Sequence, residues 1–157
     1  NHPDRLNGEA AAVENIQIRR LKIEDAEEIT RIYDAITRTP VSPDFKRVVE
    51  DHARREDGAC FVAEMNGQVV GFMISTILTA GLGMPKSAWI ATLGVSPDHM
   101  GQGIGAAMAE EIFAFYRSHG IENLYTAVRW DSTDMLSFFK TLGFDRSNFI
   151  NLRKVLK

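Results

Sequence analysis

The sequence predicts an α/β (α+β) fold in one domain, and three observations carry that reading. Runs with strand and helix periodicity follow the order β α α β β β α β α β, the pattern of a mixed sheet covered by helices. The chain has 157 residues, enough for one core and short for two. Asn66-Gly67, the dipeptide that most readily supplies both left-handed positions of a tight hairpin turn, stands between two β-rich runs. No repeat, low-complexity stretch or proline-rich linker marks a boundary. Residues 16–157 are therefore taken as a single domain, and residues 1–15, polar and without periodicity, as a tail outside it.

Each element has its own justification. Ile16, Ile18 and Leu21 form a short β-like run, after which Glu24 and Asp25 open a helical pattern with Ala26, Ile29, Ile32, Tyr33 and Ile36 on one face. Acids in a first turn suit the positive end of the helix dipole. After the linker Thr37 to Val41, Ser42 as N-cap and Pro43 at the first helical position signal a second helix carrying Phe45, Val48, Val49 and His52. Cys60 to Met65 and Gln68 to Leu78 are the two arms of the hairpin. The loop Ala80 to Lys86 leads into the apolar strand Ala88 to Val95, which Pro97 ends. A helix runs from Gly103 to about His119, with Ile104, Met108, Ile112 and Phe115 at core spacing and Gly120 as its stop. Leu124, Thr126 and Val128 mark a strand. Asp131 or Ser132 can cap a last helix with Met135, Leu136, Phe138, Phe139 and Leu142, stopping at Gly143. Phe144 to Leu156 reads as terminal β structure.

Composition removes several functional classes. Hydrophobic residues make up 45% and charged residues 25%, as in an ordinary folded domain. Eighteen basic against twenty-one acidic side chains leave a net charge of −3, so no positive field favours nucleic acid. Val69 to Leu82 is broken by Gly71, Ser75, Thr76, Thr79 and Gly81, and falls short of the roughly 20 apolar residues that cross a bilayer, so no membrane partner is expected. Cys60 is the sole cysteine, which excludes an internal disulfide and agrees with a cytoplasmic protein. No His and acid pair has metal-ligand spacing, so no metal is expected.

The chemistry concentrates in Leu93-Gly94-Val95-Ser96-Pro97-Asp98-His99-Met100-Gly101-Gln102-Gly103-Ile104-Gly105-Ala106. Glycine costs a helix interior about 1 kcal/mol against alanine. Gly103 and Gly105 at a helix start therefore suggest close approach to the backbone, either by a ligand or by the sheet beneath. Unpaired amides and the dipole at a helix N-terminus make an anion site that fits a diphosphate. A dinucleotide turn is formally matched by Gly101, Gly103 and Ala106. Five residues separate Val95 from Gly101, however, where that fold needs a tight turn, and Glu122 begins the next strand rather than ending it.

The run Val95 to Ala106 resembles motif A of the GNAT superfamily of acyl-CoA-dependent N-acetyltransferases. The family signature Q/R-x-x-G-x-G/A maps onto Met100-Gly101-Gln102-Gly103-Ile104-Gly105, and the pattern Tyr-x-x-x-Gly-Phe maps onto Phe139 to Phe144. The resemblance spans Ile16 to the C-terminus. It implies a central mixed, mostly antiparallel sheet of six to seven strands with about four helices. It also implies acetyl-CoA as acyl donor, and transfer by direct attack of a primary amine in a ternary complex. Met100, Gly101, Gln102, Gly103, Ile104, Gly105 and Ala106 would hold the CoA pyrophosphate, chiefly through backbone amides. Leu93 and Val95 would pair with the pantetheine arm, and Ser132 and Phe139 stand at further cofactor positions. That pairing needs strands that splay apart, the Ala88–Val95 and Leu124–Val128 pair. Such relatives often form homodimers.

Two residues depart from the pattern. Met100 replaces the usual Arg or Gln, which weakens a cradle of backbone amides without abolishing it. Phe139 replaces a tyrosine that gives a proton to the leaving thiolate, and phenylalanine has none to give. That keeps open a noncatalytic acyl-CoA-binding or sensing module. Positioning alone can contribute about 7–11 kcal/mol to such a transfer, so a dedicated base is helpful rather than compulsory and a water-mediated proton route is the default. Tyr125 is a candidate donor if alternation along its strand turns it toward the cleft and away from a packed helix. Asp98 and His99 are explained by a solvated turn, while Trp130 and Asp131 follow a strand end beside the expected cleft. The linker Thr37–Val41 and the loop Ala80–Lys86 would shape the acceptor pocket. The acceptor is a small-molecule amine or a protein amine, and the sequence does not choose between them.

Overall fold

The computed structural model describes residues 15–37, 43–79 and 84–157. Ser42, most of the linker Thr37–Val41, the first part of the loop Ala80–Lys86 and all but the last residue of the tail lie outside them. The chain divides into two compact units, Asn1–Thr126 and Ala127–Lys157.

In the first unit a five-stranded sheet is ordered β1-β2-β3-β4-β5. The strands are β1 (Ile16–Arg20), β2 (Cys60–Met65), β3 (Gln68–Leu78), β4 (Ser87–Val95) and β5 (Leu124–Thr126). Neighbours are antiparallel except β4 and β5, which are parallel and joined through α3 (Ile104–Ser118). The hairpin turn is as expected: Asn66 and Gly67 have φ of 53° and 79°, both left-handed. Two helices, α1 (Ala26–Thr37) and α2 (Pro43–Arg54), precede β2.

The two faces of the sheet are distinguished by their contacts. Ile29 and Ile32 of α1 and Val49 of α2 pack with Cys60, Val62, Phe72 and Ile74 in one buried cluster. Tyr33 and Phe45 stack at 4.1 Å between centroids and cover that cluster's edge. On the opposite face α3 lies over Gly71, where a Cβ would come within 3.1 Å of Met108 Cε and 3.2 Å of Ile104 Cγ2. Close helix packing is thus secured by a glycine of the sheet rather than by those of the helix. Gly94 does the same toward α1, its missing Cβ lying 2.7 Å from Ile36 Cδ1 and 2.8 Å from a Phe72 ring carbon. Fully buried side chains such as Phe72, Ile74, Met108 and Ile112 contribute about 1.5–3 kcal/mol each.

Asp25 sits in a 3-10 turn (Ile23–Asp25) ahead of α1, where its Oδ2 accepts the Lys22 amide at 2.8 Å. Its carboxylate also takes two hydrogen bonds from Arg19, both 2.9 Å, while Arg19 Nε reaches Glu64 at 2.6 Å. Burial pushes the Asp25 carboxyl up, but the Arg19 guanidinium and the Lys22 amide outweigh it and hold it below the usual carboxylate range.

The second unit holds α4 (Thr133–Thr141) and an extended tail. Inside it, Phe139 meets Phe138 and Phe144 edge-on, at centroid distances of 5.2 and 5.0 Å. Three expectations are corrected. Among the described residues the sheet has five strands rather than six to seven, β5 stops at Thr126 before Val128, and Phe144 to Leu156 forms no strand. A strand is defined by a ladder of backbone hydrogen bonds, and that stretch carries none. Nor do Asp131 and Ser132 cap α4. Ser132 holds the N-cap position with φ −91° and ψ 84° and makes no side-chain cap bond, while Asp131 pairs with Arg129 at 2.9 Å.

Candidate functional site

The site is assembled from the second half of β4, the turn after it and the first turn of α3. In β4 the register against β3 slips by one residue: Ile74 faces Thr92 and Ser75 faces Ile90, which leaves Ala91 as an extra residue. Ladder pairing with β5 covers only Ala88–Ile90 against Leu124–Thr126. The ladder ends where the Thr126 hydroxyl donates to the Ile90 carbonyl at 3.0 Å. From Ala91 onward no described strand continues the ladder on the β5 side, because β5 itself ends at Thr126.

Which groups face the open side follows from the alternation of an antiparallel ladder. The Ser96 amide points toward β3, donating to Val70 O at 2.8 Å. The amides and carbonyls of Val95 and Leu93 therefore point the other way, toward the β5 side. Their side chains stand opposite Gly71 and Met73 in the register, on the face that α3 covers. Leu93 and Val95 thus offer a strand edge to an extended ligand, while Thr92 lies on the α1/α2 face.

The chain then turns through Pro97–His99 into Met100-Gly101-Gln102-Gly103. Gly101 and Gly103 have φ of 79° and 80°, and a Cβ at either would meet no atom within 4 Å. Packing does not demand these glycines; the left-handed backbone does, since it costs other residues about 1–2 kcal/mol. Successive turns of this kind direct neighbouring amides into one concavity. The first internal bond of α3 runs from Ala107 N to Gly103 O at 3.0 Å, so the amides of Ile104, Gly105 and Ala106 are left without helical partners. No acidic side chain stands in that first turn. Amides, dipole and missing Cβ atoms together form a cradle that suits a diphosphate. Met100, 54% exposed, and Gln102, also exposed, flank it.

Other expected residues fall as follows. Tyr125 stands opposite Trp89 in the parallel register, and Trp89 opposite Thr76. Because Ser75 reaches α3, Thr76 and with it Trp89 and Tyr125 occupy the other face. Tyr125 therefore does not face α3. Asp98 is exposed as a solvated turn predicts, but His99 is not: its Nδ1 is buried and lacks a hydrogen-bond partner among the described residues. Ser132, Phe139, Trp130 and Asp131 belong to the second unit, where Trp130 is 87% exposed. The Arg129 hydrogen bond holds the Asp131 carboxyl below its ordinary range. Among the described residues no three of His, Cys, Asp and Glu stand together as a metal site needs, and no helix is long and apolar enough to cross a membrane.

Sequence reasoning missed the Ala91 bulge and the Thr126 hydroxyl that closes the ladder. A hint of the second existed in a threonine ending a short strand, but its partner across the sheet is set by a register that no local pattern shows.

Comparison with known proteins agrees with this geometry. The acetyltransferase (GNAT) family profile matches residues 26–144. Among solved structures, the aminoglycoside acetyltransferase meta-AAC0020 from an uncultured soil metagenomic sample superposes with a TM-score of 0.76 at 21% identity, over 92% of this chain and 98% of that one. Aminoglycoside N-acetyltransferase AAC(6')-Iy in complex with CoA gives 0.75 at 14% identity, over 89% and 94%. The ribosomal-protein-alanine N-acetyltransferase from Brucella melitensis biovar Abortus 2308 gives 0.73 at 16%, over 90% and 99%. At such identities the structural likeness is one of fold, and the profile match adds the class, that of acetyl-CoA-dependent N-acetyltransferases. The chain belongs to the GNAT acetyltransferase family.

Proposed function

We propose that the chain transfers an acetyl group from acetyl-CoA to a primary amine by direct attack in a ternary complex. The observation that carries this is the continuity of two features: the open edge of β4 at Leu93 and Val95 runs directly into the amide cradle of Gly101 to Ala106. When bound, acetyl-CoA supplies the activated acyl group as a thioester. In this reading the Leu93 and Val95 backbone holds the pantetheine arm as an added strand, which fixes the thioester relative to the sheet. The cradle fixes the other end, and Ser132 and Phe139 are assigned to the cofactor arm by the family pattern.

In this proposal water takes the proton that leaves the amine, and Tyr125 is the protein group that gives a proton to the departing thiolate. Holding both reactants in register supplies much of the acceleration, about 7–11 kcal/mol where alignment is good. The neighbours named above act on aminoglycosides and on a ribosomal protein, so small-molecule and protein amines are both to be screened as acceptors.

Calorimetric titration with acetyl-CoA and CoA tests the cofactor assignment, and Gly103→Glu, which places a carboxylate in the cradle, is expected to weaken binding at least about 100-fold. Wild-type protein that ignores both ligands overturns the proposal. A second reading, a noncatalytic acyl-CoA sensor, is favoured by Phe139, whose ring is buried and carries no proton. Thiol release from acetyl-CoA in the presence of an amine panel separates the two: the sensor binds and releases none.

A further inference from the structure

The turn that carries the cradle is tied to helix α1 through the sheet. In β3 the register against β2 slips by one residue: Ala63 faces Gly71 and Glu64 faces Val69, which leaves Val70 as an extra residue. A bulge of this kind breaks the local ladder and re-aims the backbone beside it, so its amides and carbonyls need partners from elsewhere. The Val69 amide donates to Glu28 Oε2 of α1 at 3.0 Å, and the Val70 carbonyl accepts the Ser96 amide at 2.8 Å. The Ser96 carbonyl accepts the His99 amide at 2.9 Å, one residue before Met100. Three hydrogen bonds and the short backbone between them thus lead from a carboxylate on α1 to the mouth of the cradle. Gly71 also faces Val95 in the register of β3 with β4, so the same bulge lies beside the strand edge assigned to the pantetheine arm.

Glu28 differs from the acids next to it. Glu24 and Glu27 are exposed, and Glu27 meets Lys46 at 3.4 Å with 74% of its side chain in solvent. Glu28 is half-buried and directs its carboxylate at a backbone amide, a charge-assisted bond of the stronger kind. α1 meets the cradle segment twice more, through Ile36 against Gly94 and through packing on the Pro97–His99 turn. The Ile36 contact is apolar, and the buried His99 Nδ1 makes no hydrogen bond among the described residues. Apolar contact holds two surfaces together without fixing how one slides on the other, whereas a hydrogen bond fixes an atom. Gly101 and Gly103 permit the left-handed turn, but they do not set where its amides stand relative to β4.

We propose that Glu28 is a positioning residue for the cofactor cradle. By holding the Val69 amide it fixes the Val70 bulge, and the bulge carbonyl fixes Ser96 and with it the turn from His99 into Met100 to Gly103. The inference rests on the reading that this cradle holds the diphosphate of acetyl-CoA. Glu28 acts through the backbone of β3 and carries no step of the transfer itself.

Calorimetric titration with CoA, paired with amide hydrogen exchange on the same folded samples, tests it. Glu28→Ala is expected to weaken CoA binding about 10-fold and to speed exchange at Ser96 and His99, while core amides such as that of Ile112 keep their wild-type rates. Glu28→Gln, whose side-chain oxygen still accepts a hydrogen bond, is expected to restore most of the affinity and the protection. Glu27→Gln, the same change of charge one residue earlier, is expected to leave both unchanged. A residue that only stabilised the fold would raise exchange throughout and leave the affinity of the folded protein as it was. Wild-type affinity in Glu28→Ala, unchanged exchange at Ser96, or a loss of affinity that Glu28→Gln does not rescue or that Glu27→Gln shares overturns the proposal with the acetyl-CoA reading intact. A wild type that binds no CoA overturns that reading, and the proposal with it.

Discussion

The two ends of α3 are built on opposite terms. At the N-terminus three amides are without helical partners, two glycines hold left-handed backbone and nothing crowds them. Near the C-terminus a buried polar network is closed around Tyr116. Tyr116, 2% exposed, accepts the Ala59 amide at 3.1 Å and shares a 2.6 Å hydrogen bond with Ser75. The Ser75 hydroxyl donates to Ala59 O, and the Cys60 thiol to Ser75 O at 3.3 Å. Burial pushes both the Tyr116 hydroxyl and the Cys60 thiol up, so each stays protonated. One helix thus holds a closed polar network that locks β2, β3 and α3 together, and an open one that waits for a ligand. Buried polar groups without partners are costly, so a fold keeps them only at a surface where something else completes them.

The largest expected effect that would break this contrast is at the open end. Gly103→Glu should weaken acetyl-CoA binding at least about 100-fold, through lost charge-assisted amide bonds worth about 1.5–3 kcal/mol each, while the left-handed backbone at that position costs about 1–2 kcal/mol of stability. Gly103→Asn, which tolerates positive φ and adds no charge, should lose far less affinity by the same titration. Equal losses would mean that strain and not charge governs the cradle.

At the closed end the order reverses. Tyr116→Phe strands the Ala59 amide and should cost about 1–3 kcal/mol of stability, read as a fall in the melting midpoint of about 2–4 °C per kcal/mol, with CoA affinity unchanged. Gly71→Ala, set under the middle of the contact, should cost about 1 kcal/mol by overpacking against Met108 and Ile104, read in a denaturant titration. The smallest effect is acid sensitivity. The folded-state pKa of Asp25 lies below its unfolded value, so its stabilisation is fully present above about pH 4 and is lost as pH falls through the folded value. Asp25→Asn should flatten the stability curve in that acid window and leave neutral pH with only the loss of the Arg19 pair.

How much was legible follows the same division. The hairpin at Asn66-Gly67, the helix under Ile104, Met108 and Ile112 and the cradle glycines announce themselves through local chemistry, because turn type and periodicity are local. The terminal strand did not follow from its pattern, since a strand needs a partner and alternation in Ile150, Leu152 and Leu156 names none. The orientation of Tyr125 stayed open until the register with Trp89 was known. Glycine purpose was half legible: Gly101 and Gly103 serve conformation, whereas the close approach of α3 is granted by Gly71 in the sheet, which carries no motif at all.

The extra residue at Ala91 divides β4 into two regimes of motion. Ala88, whose amide is held by Asn123 O at 3.0 Å, belongs to the part that opens only when the sheet does. The Leu93 and Val95 amides, which no described strand pairs on the β5 side, should exchange their hydrogens with solvent far faster than their burial alone implies. Bound acetyl-CoA should slow those two and leave Ala88 as it was, so a single strand would hold both the reference clock and the reporter.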